Sequence, residues 1–439
     1  LKAIAWKKGQ ILTMLRVFGR LTFLLLCFAL TACFDGKGQD KSATVDVVPT
    51  AGPEAIALHQ RLLTIDSHMD IPKNFATPEA DPGAKTKMQV DLPKMRAGGL
   101  KAGFFIVYVA QSRRTPENYL KAQADAMVKF NAIHRMCETM YPDQIGLATT
   151  VDQMRQIHAQ GRLVALIGIE NGYVIGKDLT LLKKYYDLGA RYMTLAHMGH
   201  NDIADSANPR PELGDSQAEN HGLSPFGRQV VAEMNRLGMM VDISHISKEA
   251  GLQAAALSEA PVIASHSAMA GLVGIPRNMD DEVLKAVAKS GGVVQVVAFS
   301  AYVKKQPEKD QALADMKKKV LAKYGVENLD DLTKEQIKEF EGAVAELDKI
   351  WPKATLGDFV DHIDYAVKRI GIDHVGISSD FGGGGGVRGW NNAAETANVT
   401  AELMRRGYSE EAIAKLWSGN LLRVMAAVEQ KAHDIQKAH

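Results

Sequence analysis

The chain has 439 residues, 46% of them hydrophobic and 23% charged, with 52 basic against 51 acidic side chains. That composition excludes a disordered tail, a collagen-like repeat and a polytopic membrane protein. A formal net charge of +1 gives no bulk electrostatic reason to bind nucleic acid, and three cysteines, Cys27, Cys33 and Cys137, cannot build a disulfide framework.

Residues 1–13 precede Met14, and we read them as an extension upstream of the true start. Arg16 and Arg20 then lead into Leu21–Cys33, an apolar stretch shorter than the roughly 20 residues that a membrane-spanning helix needs. Basic start, short apolar run and small residues at its end make residues 14–32 an export signal. The end, Leu30-Thr31-Ala32-Cys33, resembles the lipobox of bacterial lipoproteins, which implies lipidation of Cys33. A plain secretory signal with a chance cysteine is the alternative. Phe34 follows Cys33 where an aspartate would mark retention at the inner membrane. The expected location is the bacterial cell envelope, at the outer membrane or the periplasmic face, with membrane contact through the lipid anchor alone. Residues 33–55 are mostly small and polar and read as a flexible tether, leaving 56–430 for the folded domain.

Eight short apolar runs follow: Leu62–Asp66, Ala102–Val109, Leu163–Ile169, Tyr192–Ala196, Met239–Ser244, Val262–Ser265, Gly292–Phe299 and His374–Ser379. Most are continuous rather than alternating, as parallel strands buried on both faces require. Amphipathic stretches separate them, among them Pro116–Met140, Leu179–Leu188, Phe226–Leu237 and Asp281–Lys289. Eightfold strand–helix alternation predicts an α/β fold, a closed (β/α)8 barrel of the TIM type. A doubly wound open sheet is the runner-up. It would be favoured by a glycine fingerprint after the first strand, where Ser67-His68-Met69-Asp70 stands instead. Residues 304–351 are highly charged and helical in pattern, and read as a helical hairpin inserted on the rim after the seventh strand.

Chemistry in such barrels gathers at the C-terminal strand ends. The runs deliver His68 and Asp70, Glu170, His197, His245, His266 and Asp380 there. Ionisable groups at the ends of apolar runs are costly unless paired or bound to metal. Imidazole and carboxylate ligands suit zinc, and His-x-Asp, one Glu and two further His, three imidazoles with two carboxylates, are too many for one tetrahedral ion. They suit two ions sharing a bridging carboxylate about 3.5–4 Å apart. The five glycines Gly382–Gly386 lack the Lys-Ser or Lys-Thr of a phosphate loop, and read as a mobile rim loop.

Seven stretches carry a family resemblance: Ile65-Asp66-Ser67-His68-Met69-Asp70, Gly168-Ile169-Glu170, Leu195-Ala196-His197 with Asn201–Ser206, Val241–Ser247, Pro261–Ser267, Arg277–Asp281 and Val375–Phe381. Gly419–Val424 looks like the closing helix of the same family. The chain resembles the membrane (renal-type) dipeptidases, peptidase family M19, from about residue 58 to 429 apart from the insertion.

The resemblance implies a metallo-dipeptidase. It makes His68, Asp70 and Glu170 ligands of one zinc ion and Glu170, His245 and His266 ligands of a second, with Glu170 bridging. His197 matches the histidine facing the scissile carbonyl, and Arg277, with Asn278 beside it, the arginine gripping the substrate's C-terminal carboxylate. Asp380 matches the aspartate that handles protons. The implied nucleophile is a hydroxide bridging the two ions, the implied substrates are dipeptides, including those ending in a D-residue, and the implied assembly is a homodimer. Two positions depart from the family pattern, Asn171 after the glutamate and Gly382 after the last aspartate. Both are expected at the pocket mouth. Two other classes stay open. Another binuclear hydrolase on this barrel, such as a lactonase, is opposed by Arg277 and by the lack of a bridging lysine on the fourth strand. An inactive ligand-binding lipoprotein is opposed by the complete ligand set.

Overall fold

The computed structural model describes residues 50–326 and 329–438. The export signal and Cys33 lie outside the described residues, as does the tether up to residue 49.

A helix at Pro53–Arg61 opens the described chain, so order begins inside the stretch read as the end of the tether. Nine strands follow: β1 (Ile65–Asp70), β2 (Ala102–Tyr108), β3 (Ile145–Leu147), β4 (Leu163–Glu170), β5 (Ala190–Thr194), β6 (Met240–Asp242), β7 (Ile263–Ser267), β8 (Val293–Val297) and β9 (Val375–Ser378). They form one sheet in the order β1-β2-β4-β5-β6-β7-β8-β9, every pair parallel, with β3 set beside β4 off this path. The eight in the path make a nearly closed barrel, the architecture expected from the alternation of runs. The seam between β9 and β1 is drawn together at its upper end by the Met69–Phe381 bridge. There the Asp70 N–H donates to the Phe381 carbonyl (2.7 Å) and the Asp380 N–H to the His68 carbonyl (3.1 Å). Asp66 pins the same seam. Its Oδ1 accepts from the backbone N–H of Ser379 (3.0 Å) and of His68 (3.2 Å), while burial pushes its carboxyl up to about 6.

One boundary and one added strand correct the sequence reading. The first strand runs over 65–70, not 62–66, because Leu62 caps the opening helix and Leu58 and Leu62 pack into the shell outside the barrel. The short strand β3 is an addition. Its three residues pair with the start of β4 and are too few to leave a periodic signal. The long helix does span Pro116–Met140, its last six residues as a π-helical turn.

The apolar interior divides in two. One cluster lies between strands and surrounding helices, around Phe105, Phe130, Met234, Leu284 and Phe359. The other contains Ile65, Phe104, Val164, Leu166, Tyr192 and Ile263, against which the C-terminal helix Asn420–Ala438 lays Leu421, Val424, Met425 and Val428. The insertion is a helical hairpin, Pro307–Tyr324 and Lys334–Ile350, as expected.

Two histidines of the shell are buried neutral. His362 accepts from the Met269 N–H (2.9 Å) and donates to the Val303 carbonyl (3.3 Å). His59 pairs with Thr400 Oγ1 (2.7 Å), which also accepts from Trp417 Nε1 (2.8 Å). Burial pushes each down from 6.5 to about 4. As pH falls below 6.5 the unfolded chain protonates these imidazoles while the folded chain does not until about 4, so stability drops through that window. Each should cost about 2 kcal/mol at pH 5. The loss of unfolding free energy between pH 7 and pH 5, measured by urea titration, should be smaller by about that amount in His362→Gln than in wild type.

Candidate metal centre

Each side chain named from the sequence as a ligand or proton carrier reaches the C-terminal end of the barrel. His68 and Asp70 stand two apart near the end of β1 and share a face. Glu170 is the last residue of β4 and His266 lies within β7. His197, His245 and Asp380 follow β5, β6 and β9 by two or three residues. Two of these, His245 (φ +68°) and Asp380 (φ +57°), hold the left-handed backbone that non-glycine residues rarely adopt, and Asn171 (φ +84°) does so directly after Glu170. Local strain is thus concentrated where the loops turn side chains inward.

Glu170 lies at the centre. Its Oε2 is 3.4 Å from His68 Nε2, while Oε1 is 3.2 Å from His245 Nε2, 3.3 Å from His266 Nε2 and 3.5 Å from His197 Nε2. His68 Nε2 is also 3.4 Å from Asp70 Oδ2 and 3.9 Å from Asp380 Oδ1. Three overlapping groups result, His68–Glu170–His266, Glu170–His197–His245 and His68–Asp70–Asp380, each with its ligand atoms within 4.8 Å of one another. The two oxygens of one carboxylate thus face two different sets of partners.

Supporting hydrogen bonds fix which ring nitrogens face the cluster. The Tyr192 hydroxyl donates to the Ser67 carbonyl (3.0 Å), so it accepts from His68 Nδ1–H (2.9 Å) and turns Nε2 toward the carboxylates of Asp70 and Glu170. That Nε2 is buried and has no hydrogen-bond partner. Ser265 Oγ–H donates to Asp242 Oδ2 (2.6 Å) and accepts from His266 Nδ1–H (2.8 Å), which leaves His266 Nε2 facing Glu170 and the Nε2 of His245, 2.7 Å away. Room for the Tyr192 ring comes from Gly168, where a Cβ would collide with it. Tyr192, Ser265 and Asp242 escaped the sequence reading as site residues. A glycine two residues before the key glutamate was the one available sign.

Burial alone would raise the Glu170 carboxyl, but His197, His68, His245 and His266 hold it well below the usual carboxylate range. Asp380 is pushed the other way, first by burial and then by the charges of Asp70 and Glu170. Burial holds His197, His245 and His266 below the ordinary imidazole value. Imidazole nitrogens turned inward around carboxylates that repel one another form the donor set that divalent cations accept. The residues present fit a divalent metal centre built around Glu170.

Arg277 is buried beside the cluster. Its Nη2 donates to the His266 carbonyl (2.6 Å), Nη1 donates to Ser267 Oγ (2.9 Å), and its Cζ stands 5.1 Å from the centre of the Tyr302 ring. Asn278 spends both amide hydrogens on the carbonyls of Val273 (2.8 Å) and Tyr302 (2.9 Å). A cavity of about 210 Å³ adjoins them, with His245, Ser247 and Ile275 in its lining. The buried atoms His245 Nδ1, Arg277 Nε and Asn278 Oδ1 all lack partners and all belong to residues of that lining.

Of the two departures from the family pattern, Asn171 lies deeper than the pocket mouth, while Gly382 is exposed as expected. Asn171 is fully buried and staples three loops together, through Val109, Gln111, Tyr173 and Asn201. The glycine run, exposed at Gly382–Gly384, is held by backbone bonds. Gly383 and Gly385 donate to the Asp380 carbonyl and Gly386 to that of Ala298. A Cβ on Gly382 would strike the Asp70 backbone, and one on Gly383 the carboxylates of Asp70 and Asp380. Only glycine lets the backbone pass this close.

The model of the membrane dipeptidases, peptidase family M19, matches residues 53–439. The chain belongs to that family. The dipeptidase is 31% identical over 348 residues to Dipeptidase tcpJ of Claviceps purpurea, an alignment covering 78% of this chain and 70% of the relative. It is 33% identical to Dipeptidase ataJ of Aspergillus terreus, with 78% of each chain covered. Among solved structures it is similar to the probable dipeptidase PvdM from Pseudomonas aeruginosa, with a TM-score of 0.76 and 36% identity over 86% of this chain and 98% of that one. The metallo-dipeptidase family expected from the motifs is therefore the family found.

Because one carboxylate faces both ligand sets, Glu170→Gln should lower metal affinity on both sides, read as metal content after dialysis. Unchanged content would show that Glu170 is no bridge. Tyr192→Phe should weaken metal binding by about 10- to 100-fold against a competing chelator, with circular dichroism unchanged, since it removes the acceptor that fixes the His68 tautomer.

Proposed function

We propose that this family M19 enzyme uses two zinc ions to hydrolyse dipeptides bearing a free C-terminal carboxylate, those ending in a D-residue included. The observation that carries this reading is the buried Arg277 guanidinium, anchored on the backbone of a ligand histidine and retaining an unpartnered Nε–H beside a cavity. Its hydrogen bond to the His266 carbonyl fixes the distance between a carboxylate clamp and the metal ligands. A substrate held by its C-terminal carboxylate there has its peptide bond one residue away, over Glu170.

Bound zinc would polarise the scissile carbonyl and lower the pKa of the attacking water, which we place between the two ions as hydroxide. His68, Asp70 and Glu170 would hold one ion, and Glu170, His245 and His266 the other. His197, kept neutral by burial, offers Nε2–H to the oxygen that gains charge as the carbonyl carbon becomes tetrahedral. Asp380 accepts the proton released by the water and delivers it to the departing amine nitrogen as the C–N bond breaks. Arg277 holds the carboxylate throughout, and Asn278 braces the Arg277 loop through its bonds to Val273 and Tyr302. We further propose that Cys33 carries a lipid that anchors the enzyme in the cell envelope, and that the enzyme works as a homodimer.

A charge-assisted contact is worth about 1.5–3 kcal/mol, so Arg277→Ala should lower kcat/KM for dipeptides roughly 10- to 100-fold. Amidating the C-terminus should cost wild type a similar factor and the variant little. Equal losses on free and amidated substrates would make Arg277 a structural residue. Asp380→Asn should cut kcat while leaving KM largely unchanged, because a proton carrier acts in the transition state. Cys33→Ser should move the protein out of the membrane fraction, and an unlipidated mature N-terminus in mass spectrometry would refute the anchor.

A further inference from the structure

The hairpin Pro307–Ile350 plays no part in the chemistry above, yet it is not a free appendage. It leaves the barrel after β8, the seventh strand of the ring. Its root is tied to the substrate clamp. Tyr302, just before it, stacks on Phe299 (4.3 Å between ring centres), lies beside Arg277 and accepts the Asn278 amide through its carbonyl. Its far end is tied elsewhere. Asp331 pairs with Lys121 (3.3 Å) on the helix that follows β2, and Leu332 is buried. Lys317, near the middle of the first hairpin helix, acts electrostatically on Glu212, in the loop after β5.

β2 and β5 are the second and fourth strands of the ring, and β4, which ends in Glu170, stands between them as the third. In an eight-strand ring the third position lies opposite the seventh. The hairpin therefore crosses the C-terminal face of the barrel from one side to the other. Its first helix has 18 residues, about 27 Å of length, enough for that span. On the far side, Arg113 donates to the Glu212 carbonyl (2.8 Å) and Arg114 pairs with Glu219 (2.7 Å), joining the loops after β2 and β5 on either side of the β4 end. Two further pairs, Lys309–Asp348 and Lys323–Glu339 (both 2.7 Å), hold the hairpin helices together near root and tip.

We propose that this hairpin is a fixed roof over the amino-terminal half of the substrate site, and that it restricts the enzyme to dipeptides by excluding peptides with a second residue before the scissile bond. The argument rests on the Arg277 clamp proposed above. With the carboxylate held at the hairpin's root and the peptide bond over Glu170, the substrate's amino end points toward the β2–β5 side. There the roof comes down. An added N-terminal residue would have to occupy the space the hairpin fills.

The ends of the hairpin lie side by side, since Gln306 Nε2 donates to the Pro352 carbonyl (3.0 Å) and Lys309 Nζ to that of Trp351 (2.9 Å). Residues 307–350 can thus be replaced by a short Gly-Ser linker. The variant should keep its metal and its dipeptide activity within a few-fold. Its kcat/KM for a tripeptide such as Ala-Ala-Ala, relative to Ala-Ala, should rise at least tenfold, with water added across the last peptide bond and the C-terminal residue released. A second variant, Asp315 joined to Val344 through four glycines, keeps the root but cannot reach Lys121, and should shift the ratio the same way. A folded variant of either kind with the wild-type tripeptide-to-dipeptide ratio would overturn the roof. Amidated Ala-Ala, run on wild type in parallel, tests the clamp separately. If it is cleaved as well as the free dipeptide, the clamp fails while the length ratio still reports on the roof.

Discussion

A single buried carboxylate organises this molecule. Glu170 ends the third strand of the ring, and its two oxygens face different partners, His68 on one side and His197, His245 and His266 on the other. A carboxylate without water must be paired, or it takes a proton. Four imidazoles supply the pairing, and they arrive from the first, fourth, fifth and sixth strands of the ring. The barrel is the device that brings them to one point. Imidazoles separated by up to 198 positions meet because eight parallel strands end on one rim.

That arrangement is held by a layer beneath it. Tyr192 orients His68, while Ser265 and Asp242 orient His266. Asp66 and the run Gly382–Gly386 draw the last strand against the first, which carries Asp380 to within 3.9 Å of His68. The polar layer rests on an apolar floor that includes Ile65, Phe104 and Val164. Seam and site are thus one structure, since the backbone bonds that close the barrel involve His68, Asp70 and Asp380 themselves.

The sequence carried the barrel and the cluster of ionisable residues at its C-terminal end because both leave local marks. Continuous apolar runs repeat eight times, and ionisable residues stand at their ends. Less local features were hidden. The Tyr192–His68 bond joins residues 124 positions apart, and no periodicity encodes such a partner. Leu62-Leu63 imitates the start of a strand, although Leu62 only caps a helix. The glycine run resembles a loose loop until the carboxylates packed against it are seen. Charge and helical pattern disclosed the hairpin but not its landing on Lys121, because a surface pair across 210 residues depends on the fold around it.

We propose that Glu170 is shared between two metal ions. Anomalous diffraction at the zinc edge, from crystals of the zinc-loaded enzyme, tests it most directly. Two peaks are expected about 3.5–4 Å apart, one beside His68 and Asp70, the other beside His245 and His266, with a Glu170 oxygen on each. One peak alone, or two peaks of which only one touches Glu170, would contradict it.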